Sequence, residues 1–228
     1  ILPERTAGII CLVAITIVSI RIFPGDSLMN FTTMVMSLLL TSIFSYMIFS
    51  NYRITNEKLI LLATIDPLTL CGNRRALKDK LADLISDQQR QASVVSLLLL
   101  DLDFFKKIND QHGHAAGDMV LVEVARLMKS NTRALAALFR YGGEEFIIVP
   151  LYVELAEACI IAEKLRVIIE QHQFVNNIQL TVSMGVAQYR LNESAETWIA
   201  RADAALYLAK ESGRNRVEQE APLMSGAS

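Results

Sequence analysis

Several residue types are scarce in this 228-residue chain, and each scarcity argues against a class of protein. Its three cysteines are odd in number and widely spaced, so neither a disulfide framework nor a zinc-ligand pattern emerges. His112 and His114 have no cysteine or third histidine nearby, and they do not form a zinc pair. A net charge of -2 provides no overall positive field for nucleic acid. We therefore expect free thiols in a reducing compartment and no nucleic-acid partner.

Charge is also scarce in two stretches near the start of the chain. Residues 6–23 are apolar apart from Arg21, and residues 31–49 carry no charge. Each stretch approaches the ~20 residues that a helix needs to span a bilayer. We predict a two-helix transmembrane hairpin over residues 1–50, with spans at about 6–23 and 31–49. Buried helices of a soluble protein are the alternative, and the first stretch also resembles a signal peptide.

The charges around this hairpin predict its orientation. The loop at residues 24–30 lacks Lys and Arg, whereas Arg5 precedes the hairpin and Arg53 and Lys58 follow it. Because positive charge marks the cytoplasmic side, both ends are expected inside. The chain begins at Ile1 and not at Met, which suggests a fragment or a processed product with further sequence upstream. Residues 51–65 are expected to form a helical linker that either pairs with a second copy or only connects.

From residue 66 the pattern changes to alternating helices and strands, up to about residue 218. The apolar run at 94–100 predicts a buried central strand, and segments 138–141 and 146–149 predict a hairpin around Gly142 and Gly143. A further strand is expected at 178–187, with helices at 75–86, 117–130, 154–170 and 197–212. The predicted fold is an α/β (α+β) sandwich on a mainly antiparallel sheet, and residues 219–228 are expected to be a disordered tail.

Acidic residues stand at the two places where this sheet is expected to present groups to a ligand. Asp101 and Asp103 end the central strand, and Glu144 and Glu145 lie at the tip of the hairpin. Taken singly, each carboxylate is a common solvated surface group. If they converge they repel one another unless a cation binds, and Mg²⁺ prefers such oxygen ligands.

Other residues are suited to bind a nucleotide. Lys106, Lys210 and Arg214 are candidate phosphate ligands, whereas Lys107 is interpreted as a solvating residue. Gly142 and Gly143 form a turn, or they let a phosphate or a base approach the backbone. Residues 109–118 link the central strand to the next helix, and Asn and Asp side chains in this stretch can read the edge of guanine.

Seven blocks of sequence occur in the order that one family shows. They are 66–69 (DPLT) with 73–75 (NRR), 101–110 (DLDFFKKIND), 113–114 (GH) with 117–118 (GD), 140–146 (RYGGEEF), 183–187 (SMGVA), 202–207 (ADAALY) and 209–215 (AKESGRN). On these blocks the chain resembles the GGDEF family of diguanylate cyclases, from residue 66 to about residue 217. A lone GGEEF would be weak evidence, whereas seven ordered blocks are specific.

The resemblance implies a polymerase-palm-like, nucleotidyl-cyclase fold and the condensation of two GTP into cyclic di-GMP with loss of two pyrophosphates. It implies Mg²⁺, with Mn²⁺ as an alternative, held by Asp101, the carbonyl of Leu102, and Glu145. Glu144 would join this site and act as general base. The remaining implied contacts are guanine readers Asn109 and Asp118, His114 near the nucleotide, a close approach at Gly143, and phosphate ligands Lys106, Lys210 and Arg214.

The resemblance also implies a homodimer, since closing a symmetric product needs two domains face to face. Together with the predicted hairpin, this leads us to expect a multi-pass protein of the bacterial inner (cytoplasmic) membrane with its catalytic domain in the cytoplasm. Two departures stand out. The family's Arg-x-x-Asp inhibitory site reads Arg133-Ala134-Leu135-Ala136 here, which predicts weak or absent product inhibition. The usual Thr-Gly-Leu-x-Asn reads Thr69-Leu70-Cys71-Gly72-Asn73, a change of local turn. Three alternative interpretations of the sequence remain: a non-enzymatic GTP-binding domain, a cyclase that accepts ATP, and a purely structural membrane protein.

Overall fold

The computed structural model describes residues 27–88, 94–132 and 136–221. The first predicted span at 6–23 and the inhibitory-site residue Arg133 lie outside these described residues. By its contacts the chain divides into two compact units, Ile1–Ile60 and Leu61–Ser228.

One long helix, α1, covers Ser27–Thr64. Its segment Phe31–Arg53 is 23 residues long with a mean hydropathy of 1.7 and no buried residues, so its length and composition allow it to cross a bilayer. The hydroxyl groups of Ser37 and Thr41 donate to the carbonyls of Met34 and Ser37, which satisfies them inside the helix. The described residues contain one such segment, and the two-helix hairpin therefore remains a prediction.

The second unit is built on a five-stranded sheet with the strand order β2-β3-β1-β4-β5. The first three pairings along this order are antiparallel, whereas β4 and β5 run parallel, so the sheet is mixed. The strands are β1 (Ser96–Leu102), β2 (Ala137–Arg140), β3 (Glu145–Val149), β4 (Val182–Gln188) and β5 (Val217–Gln219).

Helices cover both faces of this sheet. They are α2 (Arg74–Gln88), α3 (Phe105–His112), α4 (His114–Asn131), α5 (Leu155–Gln171) and α6 (Ala195–Glu211), with a short 3-10 turn at Val175–Asn177. Leu98 and Leu100 of β1 pack with α3, α4 and α5, whereas Leu97 and Leu99 pack with α2 and α6. Because both faces are covered, β1 is a continuous apolar run, as its sequence predicts.

Three predicted boundaries need correction. The link predicted at residues 109–118 is mostly helical, because α3 (Phe105–His112) covers its first four residues and α4 begins at His114. The strand predicted at 178–187 starts at Val182, since the chain first makes the 3-10 turn, with Asn176 and Asn177 at φ values of 56°.

The tail prediction is wrong at its start. Gln219 belongs to β5, and Glu220 is only 7% exposed because its carboxylate accepts from Gln188 N and pairs with Arg190 and Arg201.

Candidate active site at the end of the central strand

The antiparallel pairing of β1 with β3 brings the two predicted groups of carboxylates together. Asp101 lies directly opposite Glu145, and the Leu102 N–H donates to the Glu144 carbonyl at 3.3 Å. Directly opposed residues project to the same face of a sheet with their Cβ atoms about 5 Å apart. Asp101 is 6% exposed and Glu145 is half-buried, so the two carboxylates share a partly dehydrated edge of the sheet.

The charges at this edge act on one another. Burial raises the pKa of Asp101, although Lys210 Nζ, 2.9 Å from Asp101 Oδ2, opposes the rise. Burial also raises the pKa values of Glu144 and Glu145, and the negative charge of Asp101 raises both further. The three carboxylates therefore favour a cation beside them, and the Lys210 ammonium group is the counter-charge present.

The donor set suits a hard divalent cation. No group of three or more His, Cys, Asp or Glu side chains within the described residues already has metal-binding spacing, and the carboxylate of Asp101 is paired with Lys210. Two carboxylates on paired strands and a third beside them are nevertheless the oxygen ligands that Mg²⁺ takes together with substrate phosphates. The residues present fit the metal that the sequence implies.

Arg140 holds the Gly142-Gly143 tip of the hairpin in place. Arg140 Nη2 donates to the Gly143 carbonyl at 2.8 Å, and Arg140 Nη1 lies 3.1 Å from Asp66 Oδ1. A Cβ atom at Gly142 would overlap the Glu145 carboxylate, whereas a Cβ at Gly143 would meet nothing within 4 Å. A side chain at position 142 would therefore displace the Glu145 carboxylate, while the open space at Gly143 leaves room for a ligand.

A helix begins shortly after Asp103, with Phe104 as its N-cap residue. Phe104 adopts a left-handed conformation at φ 57° and is 51% exposed, and α3 starts at the next residue. The first amides of a helix lack partners within the helix and favour phosphate groups. Lys107 Nζ and Arg214 Cζ lie 4.4 and 4.6 Å from the centre of the Phe104 ring. Lys107 is exposed, and its interpretation as a solvating residue stays a prediction.

The candidate guanine readers lie on two consecutive helices, Asn109 on α3 and Asp118 on α4. A Cβ at Gly117 would overlap the side-chain oxygen of Asn109, so this glycine lets α3 and α4 approach. Asp118 lines a pocket of about 370 Å³ together with Leu68 and Met119. His114 is the exposed first residue of α4, and Lys106 is exposed on α3. Within the described part of the chain, neither Lys106 nor His114 forms a hydrogen bond or an ion pair with the carboxylates.

Asp103 has a structural role and not the ligand-presenting role that its position at the strand end suggests. Its carboxylate accepts three hydrogen bonds, from Thr181 Oγ1 at 2.8 Å, Ser183 Oγ at 2.7 Å and Asn215 N at 3.0 Å. These donors satisfy the buried charge, so Asp103 ties β1 to β4 and to the turn after α6. The sequence showed its strand-end position but not these partners, which lie up to 112 residues away.

Carboxylates for a hard cation beside lysine and arginine, on an α/β sandwich, define the class of domains that bind nucleoside phosphates with a metal ion. Residues 63–216 match the family described as "Diguanylate cyclase, GGDEF domain". Because the match covers more than half of the chain, the protein belongs to that family, and the sequence-based assignment is confirmed.

Curated relatives agree with this assignment. The chain is 39% identical over 171 residues to "Diguanylate cyclase A" of Treponema denticola, which covers 72% of this chain and 46% of the relative. It is 41% identical over 162 residues to the "Response regulator PleD" of Caulobacter vibrioides, covering 68% of this chain and 36% of PleD. The chain therefore spans less than half the length of these two relatives.

Solved structures show the same fold. The coiled coil and GGDEF domain of DgcB from Caulobacter crescentus, solved with c-di-GMP, aligns with a TM-score of 0.76 at 31% identity, covering 80% of this chain and 99% of DgcB. The active GGEEF domain of a diguanylate cyclase from Vibrio cholerae aligns with a TM-score of 0.64 at 35% identity, covering 67% and 99% of the two chains.

Proposed function

We propose that this protein condenses two GTP into cyclic di-GMP and releases two pyrophosphates. The observation that carries the proposal is the placement of Asp101 opposite Glu145, beside the Gly142-Gly143 tip, in a chain of the diguanylate cyclase family. A degenerate relative that only binds GTP would be expected to lose some of these carboxylates, and here they are retained together with Lys106.

In the proposed mechanism the carboxylates hold the metal and move a proton. Asp101, Glu145 and the Leu102 carbonyl would hold Mg²⁺ or Mn²⁺, which when bound neutralises charge on the triphosphate. Glu144 accepts the proton of the ribose 3′-hydroxyl. Its raised pKa brings it closer to the working pH, which favours a general base.

The cations of the site hold the triphosphate. Lys106, Lys210 and Arg214 bind its oxygens, and Lys210 leaves Asp101 when it does so. This exchange is favourable because the phosphates carry more negative charge than one carboxylate. Positioning and charge stabilisation account for most of the catalysis of phosphoryl transfer, so each of these cations contributes to turnover.

The pocket beside Asp118 is the proposed guanine site. Asp118, which lines this pocket, and Asn109, whose side chain lies against Gly117, are the proposed readers of the base. His114 lies near the nucleotide, and Gly143 gives the ligand room at the hairpin tip. A carboxylate at Asp118 accepts from the ring N–H and the amino group of guanine, whereas adenine presents an acceptor at N1. The site is therefore expected to select GTP over ATP.

We further propose that the enzyme works as a homodimer in the bacterial inner membrane, with its catalytic domain in the cytoplasm. One domain holds one GTP, and a two-fold product requires two domains face to face. Phe31–Arg53 supports the membrane proposal by its length and hydropathy. The multi-pass topology rests on the sequence of residues 6–23 and the charge pattern around it.

The direct test is to incubate the detergent-solubilised chain with GTP and Mg²⁺ and to identify the product by mass spectrometry. We expect cyclic di-GMP and pyrophosphate in a 1:2 ratio. Glu144→Gln is expected to lower turnover by at least about 10²-fold, because it removes the general base. The same variant should melt no lower than the wild type, since it removes a charge that the site disfavours.

Binding of GTP without pyrophosphate release would instead identify a GTP-sensing domain and contradict the proposal. Turnover of ATP at a similar rate would contradict the role of Asp118.

Product inhibition is expected to be weak. Ala136, which stands where the family has Asp, lines a pocket of about 270 Å³ and offers no acceptor to a guanine. Titration of cyclic di-GMP into the assay should therefore give no tight non-competitive inhibition. Ala136→Asp is expected to introduce it, and tight inhibition of the wild type would contradict this prediction.

A further inference from the structure

The turn that carries Arg214 holds an unfavourable backbone conformation. Gly213, Arg214 and Asn215 have φ values of 111°, 62° and 48°, three left-handed residues in succession. Glycine adopts this region freely and asparagine tolerates it, but a long side chain such as arginine rarely does. Such a conformation persists only where the surrounding structure fixes it, and it is typical of functional sites.

Asn215 supplies several of the bonds that fix this turn, beside the Arg214 N–H, which donates to the Ala209 carbonyl at 3.0 Å. Its N–H donates to Asp103 Oδ2 at 3.0 Å, and its side-chain Nδ2 donates to Glu170 Oε1 at 2.6 Å. Its Oδ1 accepts from Arg166 Nη1 at 2.6 Å. Both polar atoms of this side chain are therefore bonded to α5, while the backbone N–H is bonded to Asp103, the residue that follows β1.

Arg166 is the fixed end of this network. It lies on α5 with its side chain only 12% exposed, and it forms ion pairs of 2.8 Å with both Glu163 and Glu170. The planar guanidinium presents its donors in a rigid fork, so these two carboxylates set the direction of the donor that meets Asn215. An arginine that served only as a surface ion pair would not need a third, uncharged partner.

This network fixes the direction in which the Arg214 side chain points. The guanidinium Cζ lies 4.6 Å from the centre of the Phe104 ring, at the start of α3, and its charge acts on Asp101. We infer that Arg166 is a positioning residue for triphosphate binding: through Asn215 it holds Arg214 in the left-handed turn that faces the phosphate site. This inference rests on the proposed function, since it assigns Arg214 to the triphosphate.

The test measures binding as well as turnover. We expect Arg166→Gln to weaken binding of a non-hydrolysable GTP analogue by about tenfold in calorimetry. A loss of this size is usual when one hydrogen bond to a charged group, here that from Arg166 to Asn215, is removed. Guanosine binding should stay within about twofold, because the base contacts are untouched. KM for GTP should rise more than kcat falls. Arg166→Lys keeps one donor for Asn215 and should recover part of the affinity.

Glu163→Gln is the matched control. It removes the charge of one ion pair of Arg166 but keeps a side-chain oxygen that accepts from the guanidinium, so the direction of Arg166 and its bond to Asn215 are retained and analogue binding is expected to stay unchanged. Asn215→Gly keeps the left-handed turn accessible while removing the side-chain bonds, and it should reproduce the loss seen in Arg166→Gln even if that variant is unstable.

A double variant separates a structural effect from positioning. If Arg166 acts through Arg214, then Arg166→Gln adds no further loss in an Arg214→Ala background. Additive losses, or an equal loss of guanosine binding, would overturn the inference. A wild type that binds the analogue but forms no cyclic di-GMP would contradict the proposed function and leave this binding test intact, so the two failures are distinguishable.

Discussion

Leu70 is a leucine in a backbone conformation that glycine favours. Its φ is 55° and its side chain is 70% exposed, in the turn where the family usually has glycine. The left-handed conformation costs a non-glycine residue about 1–2 kcal/mol, and an exposed side chain offsets little of this. Because glycine loses about 0.5–1 kcal/mol of chain entropy, Leu70→Gly is expected to stabilise the domain by about 0.5 kcal/mol.

Chemical unfolding at constant m-value measures this change. Leu191→Gly is the matched control, since Leu191 is 69% exposed but is not among the positive-φ residues. This control is expected to lower the free energy of unfolding by about 0.5 kcal/mol. Equal destabilisation by both substitutions would contradict the strain at Leu70.

Asp66 links stability to pH at the base of the glycine tip. Burial raises the pKa of Asp66, but hydrogen bonds from Thr69 and the charge of Arg140 outweigh burial and lower it overall. A lowered folded-state pKa means that Asp66 stabilises the fold fully at neutral pH and loses this effect as pH falls through that pKa. Asp66→Asn should therefore destabilise at pH 7, and its difference from the wild type should shrink below about pH 4.

Urea unfolding at the two pH values measures this difference. Asp79→Asn, at an exposed position of α2, is the control and should change the free energy of unfolding by less than about 0.5 kcal/mol at either pH. A difference for Asp66→Asn that grows as the pH falls would contradict the assignment.

Individual site residues differ in how far the sequence alone predicts them. Asp101 and Glu145 were predictable, because one ends an apolar run and the other borders a glycine turn, and short-range patterns show both features. Lys210 was predictable as a cation but not as the partner of Asp101, since the two lie on elements far apart in the chain. Arg166 carried no signal, because an arginine on a helix surface is ordinarily a solvated residue.

At the scale of elements, the sequence does not predict the short helix α3 and the short strand β5. Helix α3 has eight residues, of which Phe105 and Ile108 are buried, and this is too short for a helical period to be recognised. Strand β5 has three residues and exists because it pairs with β4, a contact that no local pattern predicts. The longer helices and β1 were predicted, because their apolar periods extend over many residues.

The end of β5 is secured by a buried carboxylate. Glu220 is 7% exposed, accepts from Gln188 N at 2.9 Å, and pairs with Arg190 at 2.6 Å and with Arg201. Removing one member of a buried charge network leaves the others uncompensated. Glu220→Gln is therefore expected to lower the free energy of unfolding by roughly 3 kcal/mol, as measured by urea titration.

Glu218→Gln is the matched control two residues earlier. Glu218 is 3.7 Å from Arg216 in a pair whose side chains are 37% and 45% exposed. An exposed pair of this kind contributes at most about 1 kcal/mol. If the two substitutions had equal effects, the C-terminal strand would not be anchored by Glu220.

At the scale of the whole molecule, the proposed reaction requires two copies. A domain with one nucleotide site cannot close a two-fold product alone, so a copy that cannot bind GTP inactivates its partner. We expect an equal mixture of wild type and Asp118→Ala, at a fixed and dimer-saturating total concentration, to retain about a quarter of the wild-type activity. Independent copies would retain about half of the activity. The control replaces the variant with an unrelated solubilised protein and is also expected to give about half.

The mixing ratio gives a sharper form of the same test. With random pairing the activity follows the square of the wild-type fraction, whereas independent copies give a straight line. The curvature distinguishes the two cases without knowledge of the turnover rate, because every point is scaled to the pure wild type. The two forms must be mixed in the membrane or in detergent before the assay. The quadratic curve develops only when subunits have exchanged completely between preformed dimers. A straight line after co-expression of the two forms, where pairing occurs during assembly, would contradict catalysis by a homodimer.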